Sequence, residues 1–347
     1  MKKTFLLIIL GVFSLLFLSS CSTTSVMVDV MEPAAINVPQ DYKEVLITNR
    51  SLPADDKQVE NVVEGLFTNE ALFADKLGSE NCVLSMNETL NQNERFRSRL
   101  CEDCDFRGTG TAEWPVPLSW DSIKRVCERY HADALVSLEL FDTDKHTSHN
   151  VETRTRSRNG ETIRYKRYKA ILWIEIKSGL RIYDPYKKII VHEQDFYDEM
   201  SWEKKADSRG RAESRLPSHR KAAKEAGIFA GQKLASYISP TWKTTKRKVY
   251  TTGNDDMKKA KQFVKNEEWD KAASLWKQYT NSSDTKLAAR CSYNMAVAAE
   301  INGNIDVAID WAKKSLELND SYTTRAYINL LHKRKQDIRK LKEQLEN

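Results

Sequence analysis

The sequence lacks the short motifs that identify many common enzymes. It contains no Gly-x-Ser-x-Gly segment of a serine hydrolase, no Walker loop and no His-Glu-x-x-His zinc segment. No nucleophile is paired with a candidate base, and acidic pairs such as Asp195 and Asp198 are ordinary charges at the ends of predicted strands. We therefore expect a protein that is not an enzyme and that holds no cofactor and no metal.

The segment Asp142–His149 contains carboxylates and two histidines, which are potential metal ligands. The spacing of His146 and His149 would bring both rings to one ion only on a helix, and the segment is predicted to be a strand end and a loop. The pattern does not favour a metal site.

A long apolar run covers Phe5–Leu18 and follows the basic residues Lys2 and Lys3. It is shorter than the span of about 20 residues that crosses a bilayer, and it fits the hydrophobic region of a signal peptide. The following Leu-Ser-Ser-Cys21 resembles the lipobox of bacterial lipoproteins, which implies cleavage after residue 20 and acylation of Cys21. The alternatives are an uncleaved amino-terminal anchor and a plain signal peptide with a chance cysteine.

The residues after Cys21 bear on location. Ser22 stands where an aspartate would suggest inner-membrane retention, and the next residues lack the acidic tract that resembles a surface-export signal. We expect an outer membrane lipoprotein of the cell envelope, on the periplasmic face rather than the cell surface. The formal net charge of +6 is mild, so anionic lipid or cell-wall polymer is a more fitting acidic partner than nucleic acid.

Five cysteines follow Cys21, and an envelope compartment permits disulfides. One or two structural disulfides are expected among Cys82, Cys101, Cys104 and Cys127, with the pairing left open. Acidic neighbours of the Cys101-Glu-Asp-Cys104 segment disfavour a reactive thiolate, and no second cysteine or histidine pair completes a zinc site. Cys291 lies on an apolar helix face and is expected to be a buried free thiol.

The pattern of elements predicts an α+β chain. Residues 21–40 show no clear period and are interpreted as a tether, and residues 41–252 are interpreted as an α/β domain with a mixed or antiparallel sheet. Within that domain, helices are predicted at 55–73, 119–131 and 217–239, and strands at 43–48, 82–86, 134–140, 170–183, 189–196 and 242–250. This domain loosely resembles the small α/β domain of curli-secretion and penicillin-binding-protein-activator lipoproteins. Three segments carry the resemblance: the helix leading into Ala132–Leu140, the strand pair around Arg181–Lys187, and the Ala-rich helix that follows.

A long polar hairpin is predicted around Asn159-Gly160, a strong two-residue turn signal. Folding about this turn places Arg158 opposite Glu161, Arg156 opposite Ile163 and Arg154 opposite Tyr165. Cation–π contacts are expected there. We call this segment the basic hairpin and treat it as a candidate interaction surface for lipid phosphates or anionic wall polymer, although a solvated ribbon is the alternative; its candidate residues are Arg154, Arg156, Arg158, Arg164, Lys166 and Arg167.

Residues 253–347 resemble tetratricopeptide repeats closed by a charged capping helix at 322–345. The segment Gly303–Asp320 matches the second half of one repeat, and an earlier copy contains Ala260 and Glu267–Trp276. Small residues are needed where the two helices of a repeat pack closely, and tryptophans fill the space beside them. The predicted packing residues are Ala260, Ala272, Trp276, Ala296, Ala308 and Trp311.

The whole chain resembles an uncharacterised family of Bacteroidota lipoproteins with an α/β domain and tetratricopeptide-like repeats. The resemblance implies location and architecture but no activity. We expect a non-enzymatic adaptor that is tethered through Cys21 and binds an unknown envelope protein through its repeats. A regulatory lipoprotein of cell-wall synthesis or secretion, acting through the basic hairpin, is the alternative.

Overall fold

The computed structural model describes residues 22–52, 69–92, 95–110, 113–158 and 160–345. The chain forms two compact units. The α/β unit is built mainly from Pro33–Thr241, and the helical unit joins the amino-terminal residues up to Glu32 to Trp242–Glu343.

The elements follow one another in chain order. They are β1 (Thr23–Glu32), β2 (Glu44–Asn49), α1 (Asn69–Leu90), β3 (Arg97–Leu100), α2 (Trp120–Tyr130), β4 (Ala134–Arg158), β5 (Glu161–Asp184), β6 (Ile189–Ala206), α3 (Arg209–Glu213), α4 (His219–Ile238), β7 (Thr241–Tyr250), α5 (Asp255–Lys265), α6 (Trp269–Lys277), α7 (Thr285–Ile301), α8 (Ile305–Leu318) and α9 (Tyr322–Leu345).

The sheet of the α/β unit has the strand order β3-β2-β4-β5-β6. β2 runs parallel to β3 and β4, whereas β4, β5 and β6 pair antiparallel, so the sheet is mixed as expected. The start of β4, from Ala134 to Leu140, is buried on both sides because helices cover both faces of the sheet there. The predicted fold class is confirmed: an α/β domain with a long hairpin, followed by an all-helical region.

Helices α1 and α4 pack against one face of the sheet and contact each other at very short range. A Cβ atom at Gly227 would overlap the carbonyl oxygen of Gly78, and one at Gly231 would overlap that of Cys82. Only glycine permits this approach, because the two backbones nearly touch.

The strand predicted at 82–86 is wrong, because these residues lie inside α1. Cys82, Met86 and Leu90 are fully buried and follow one another at four-residue spacing, which is the period of one helix face. Packing on α4 therefore decides a segment whose local pattern was ambiguous. Of the helix predicted at 55–73, residues 55–68 lie outside the described residues.

Helix α2 covers the other face of the sheet and has the predicted ends. The Ser119 side chain caps its amino terminus by accepting a hydrogen bond from the Ser122 N–H. His131 ends it in the left-handed conformation, with φ 53°. Ile123, Val126 and Cys127 form its buried stripe.

The helical unit contains a two-stranded sheet of β1 and β7 packed on five helices. In place of the tether expected over residues 21–40, ten of these residues form β1. Val28 and Val30 are buried, and Val26 packs on the helical core. This alternation supplies the burial that stabilises the strand. The predicted strand at 242–250 is present as β7, and its partner is β1 rather than the sheet of the α/β unit.

Candidate functional site

The proposed lipidation residue, Cys21, lies outside the described residues. The description begins at the next residue, Ser22, and β1 starts at Thr23. Within the described ranges, no helix is long and apolar enough to cross a membrane.

Cys101 and Cys104 form a disulfide, which confirms one structural disulfide in the expected set. Cys82, Cys127 and Cys291 are free and buried, as expected for Cys291. Burial raises the thiol pKa of all three, to about 12 for Cys127 and Cys291. Raised pKa values leave these sulfurs as neutral thiols, which are poor nucleophiles.

Asp103 lies close enough to Cys101 and Cys104 for the three side chains to surround an ion. The two sulfurs are joined to each other, so they are not thiolate ligands, and the Asp103 carboxylate accepts hydrogen bonds from Arg129 and Tyr130. The Asp142–His149 segment is extended as part of β4, where His146 stacks on Trp173 with ring centroids 4.9 Å apart.

The basic hairpin has the predicted register. Arg158 pairs with Glu161, Arg156 with Ile163 and Arg154 with Tyr165 across the turn. The cation–π contact is made diagonally, since the Arg156 guanidinium lies 5.5 Å from the centre of the Tyr165 ring.

Part of the charge of the basic hairpin is already neutralised. Arg154 donates two hydrogen bonds to Glu152, at 3.0 and 2.7 Å, and Lys169 is paired with Glu203. Arg164 and Lys166 are exposed, and Arg167 is half-buried. The register places Arg164 and Lys166 on the face opposite to Arg156, because paired residues share a face and neighbours alternate.

The predicted packing residues of the helical region lie in its core. Ala260, Ala272, Ala296 and Ala308 are fully buried. Trp276 is 1% exposed, and Trp311 is half-buried against the same core. Small side chains occur where α5 meets α6 and where α7 meets α8, as close packing of paired helices requires.

A cleft borders β1 within the helical unit, and sequence reasoning missed it. It has a volume of about 470 Å³. Six consecutive residues of β1, Thr24 to Asp29, line one wall, and the other wall comes from Val264, Lys265, Glu267, Trp269 and Ile301. Consecutive residues alternate between strand faces, so the cleft must run along the edge of β1; we call it the strand-edge cleft.

The hydrogen bonds of β1 show which groups face this cleft. The N–H of Thr251 donates to the carbonyl oxygen of Ser22 at 3.0 Å, and the Thr244 hydroxyl donates to Asp29 at 2.6 Å. The earlier residue of the β1 segment, Ser22, contacts the later residue of the β7 segment, and Asp29 contacts the earlier one, Thr244. The two strands are therefore antiparallel. In such a pair, alternate residues direct their backbone groups to the partner strand. Those of Ser25 and Met27 therefore point away from β7, into the cleft.

Among the described residues, β1 pairs with β7 on one edge only. The cleft thus combines unpaired backbone donors and acceptors with the apolar side chains of Val264, Trp269 and Ile301. Such an arrangement can accept an extended peptide as a third strand and bury its alternate side chains. The period-two pattern Val26, Val28, Val30 is the sequence signal that could have revealed β1.

Two buried carboxylates, Glu139 and Glu300, each contact a cation and a phenol. Glu139, 1% exposed, contacts Arg50 Nη1 at 2.9 Å and the Tyr183 hydroxyl at 2.8 Å. Glu300 is held in the same way by Arg247 and Tyr327. Removing one partner of such a carboxylate would leave a buried charge without compensation.

The chain matches two protein-family models. Residues 42–250 match a domain of unknown function (DUF8603), and residues 258–333 match a second domain of unknown function (DUF6340). No curated protein matches the chain.

Three solved structures show a distant likeness. A PelC dodecamer from Paraburkholderia phytofirmans is 8% identical, with a TM-score of 0.24 over 62% of this chain and 99% of that one. A substituted PelC dodecamer from the same organism is 9% identical with the same score and coverage. A putative neuraminyllactose-binding hemagglutinin homolog from Helicobacter pylori is 14% identical, with a TM-score of 0.23 over 57% and 84%. Scores this low support no inference about this chain.

Proposed function

The chain belongs to the family defined by the domain of unknown function DUF8603, which implies no activity, and we therefore propose a function from the geometry of the structure. The protein is a lipoprotein of the cell envelope and a non-enzymatic adaptor. It binds an extended segment of a partner protein in the strand-edge cleft. The observation that carries this proposal is the edge of β1 at Ser25 and Met27, which has no strand partner among the described residues and lies beside an apolar wall.

The cleft selects for a backbone rather than for a small charged molecule. Its walls carry one lysine, Lys265, and two carboxylates, Glu267 and Asp29, and Asp29 accepts a hydrogen bond from the Thr244 hydroxyl. The other lining residues are apolar or carry small hydroxyls, as Thr24 and Ser25 do. Main-chain hydrogen bonds would supply affinity, and the pocket beside Trp269 would supply side-chain specificity.

The helix pairs support a repeat scaffold of the tetratricopeptide type. Ala260 and Ala296 are buried at matching places in α5 and α7, and Ala272 and Ala308 at matching places in α6 and α8. Helices α5 to α8 thus form two similar pairs, and α9 packs Tyr327 and Leu331 against them as a cap. Repeat scaffolds present surfaces to other proteins rather than catalytic sites.

The lipobox-like segment before Cys21 supports anchoring at a membrane, and the resemblance of the whole chain to an uncharacterised family of Bacteroidota lipoproteins supports the same location. Several acyl chains on one cysteine hold a protein stably, whereas a single chain binds weakly. An outer membrane location on the periplasmic side fits Ser22 after the cysteine, and the Cys101–Cys104 disulfide fits an oxidising compartment.

Site-specific photocrosslinking in intact cells tests the adaptor function. A benzophenone amino acid replaces Lys265, which lines the cleft, or Lys313, which is exposed on α8 outside it. We expect a discrete crosslinked protein from position 265 and none from position 313. Mass spectrometry of the crosslinked peptide identifies whether the captured segment belongs to another protein.

Blocking the edge of β1 provides the matched control. Ser25→Pro removes an N–H that points into the cleft and leaves the bonds to β7 intact, whereas Ser25→Ala keeps that N–H. The crosslink at position 265 should disappear in Ser25→Pro and persist in Ser25→Ala, with unchanged circular dichroism in both. A crosslink that survives Ser25→Pro would reject strand addition, and equal crosslinking at 265 and 313 would reject the site.

A second candidate function is supported by the basic hairpin. Its exposed Arg156, Arg164 and Lys166 project from a long antiparallel ribbon and could contact anionic wall polymer during regulation of wall synthesis or secretion. Reversal of Arg156, Arg164 and Lys166 to Glu should then abolish sedimentation of the protein with isolated cell wall. Retention equal to that of the unchanged protein would dismiss this function and leave the cleft proposal untouched.

A further inference from the structure

The two-stranded sheet has one face on the helical core and one face in solvent. Arg247 and Val249 of β7 point inward and are buried, while Lys246 and Lys248 between and beside them are exposed. The pairing of Thr244 with Asp29 then sets Lys246 beside Met27, since each step along one strand is matched by a step along the other.

This outer face combines apolar and basic side chains. Met27 is 62% exposed and Trp242 is 57% exposed, both unusually high for such large apolar groups. Within the described ranges, Lys246 and Lys248 form no ion pair, so both charges are available. Asp29 lies on the same face and accepts a hydrogen bond from the Thr244 hydroxyl, so among the described residues the two lysines outnumber this carboxylate. We call Met27, Trp242, Lys246 and Lys248 the outer face.

The short distance in sequence between Cys21 and β1 restricts what can cover the outer face. β1 starts at Thr23, two residues after Cys21, and two residues span at most about 7 Å. A tether of twenty residues would have allowed the helical unit to lie far from its anchor. With β1 beginning at once, acyl chains on Cys21 would hold the start of this sheet at the membrane surface.

We propose that the outer face lies on an anionic phospholipid bilayer. Trp242 and Met27 enter the headgroup region, where an indole ring with an apolar body and a polar N–H is favoured. Lys246 and Lys248 contact lipid phosphates, and each basic residue near an anionic surface adds to the attraction. The inference rests on the proposed lipid anchor at Cys21 and extends it from a point of attachment to a docked orientation of the helical unit.

Depth-dependent quenching in vesicles tests this orientation. The lipidated full chain is reconstituted in vesicles of phosphatidylglycerol and phosphatidylcholine, or of phosphatidylcholine alone. A fluorophore is attached at Thr244→Cys, on the same face, or at Lys313→Cys, exposed on α8. The three free native thiols of the described residues are buried and do not compete for the label.

On anionic vesicles, a quencher carried by the lipid should act on the label at position 244 and not on the label at 313. Reversal of Lys246 and Lys248 to Glu should lower the equilibrium constant for docking by about fivefold or more per lysine. Equal quenching at the two positions, or quenching that is the same on uncharged vesicles, would overturn the proposal. A chain that fails to enter either kind of vesicle would show that the anchor itself is absent, and docking would fall with it. Partner crosslinking through the strand-edge cleft is measured separately and does not depend on this result.

Discussion

Removal of the Glu300 carboxylate is predicted to destabilise the helical unit severely. The Glu300 side chain is 2% exposed and joins three elements. Arg247 of β7 donates to it through Nε at 2.8 Å and Nη2 at 2.7 Å, and the Tyr327 hydroxyl of α9 donates at 2.7 Å. Burial opposes the charge on Arg247, but the hydrogen bonds and the charge of Glu300 outweigh it and raise the pKa of the guanidinium.

The magnitude follows from what remains after the change. In Glu300→Ala, a guanidinium that is 4% exposed keeps its charge and loses its counter-ion. Breaking a buried ion pair from one side costs about 3–5 kcal/mol, against a total stability of about 5–15 kcal/mol for a domain. Replacing all three partners, as Arg247→Met with Glu300→Leu and Tyr327→Phe, removes both charges and the hydroxyl that would lose its acceptor, and should cost much less.

Hydrogen exchange at increasing urea concentration, followed by mass spectrometry of peptides from α7 and α9, measures the effect in the full chain. Asp310→Ala, which removes an exposed carboxylate from α8, is the control and should change the free energy of unfolding by less than about 0.5 kcal/mol. If Glu300→Ala costs no more than this control, or if the triple variant is as unstable as Glu300→Ala, the loss of a counter-ion is not what destabilises the unit.

Two further predictions concern the α/β unit. Gly227→Ala should destabilise this unit by about 1–3 kcal/mol or more in urea unfolding, because the added methyl overlaps the Gly78 backbone. The control Gly210→Ala adds its methyl in open space and should be neutral or slightly stabilising. Equal effects of the two changes would refute the close helix contact. Burial raises the pKa of Asp75 to about 7, although hydrogen bonds from Thr143 oppose the shift. The folded state therefore binds this proton more tightly than the unfolded state, in which the pKa of an Asp carboxyl is about 4. As the pH rises from 4 to 7, the buried carboxylate lowers the free energy of unfolding progressively, and above pH 7 the loss is constant. Asp75→Asn should match the parent below pH 4 and melt at a higher temperature above pH 7, and parallel melting curves across this range would contradict the assignment.

Local signals predicted much of the α/β unit. The Asn159-Gly160 turn specified the pairing of Arg156 with Ile163, because a two-residue turn determines the register of its strands. Ser119 and His131 marked the ends of α2, since capping depends on adjacent residues. The strand predicted at 82–86 failed because its helix is stabilised by α4, which is distant in sequence.

The candidate site was harder to predict. The buried alanines of α5 to α8 followed from their repeat spacing, but the cleft did not, because β1 was interpreted as part of a tether. The alternation of Val26, Val28 and Val30 in β1 is visible in the sequence, but no neighbouring residue indicates that β7 is its partner strand. A cleft that depends on both strands and on α5 to α7 has no local signature.

The amino-acid sequence alone determined the elements whose stability is local: the hairpin turn, the helix caps, and the spacing of small residues in the helix pairs. Only the tertiary structure decided that β1 joins β7, that Arg247 meets Glu300 across 53 residues, and that an open strand edge faces an apolar wall. The reason is physical. Turns and caps are satisfied within a few residues, whereas strand edges and buried charges find partners only when distant segments are packed together.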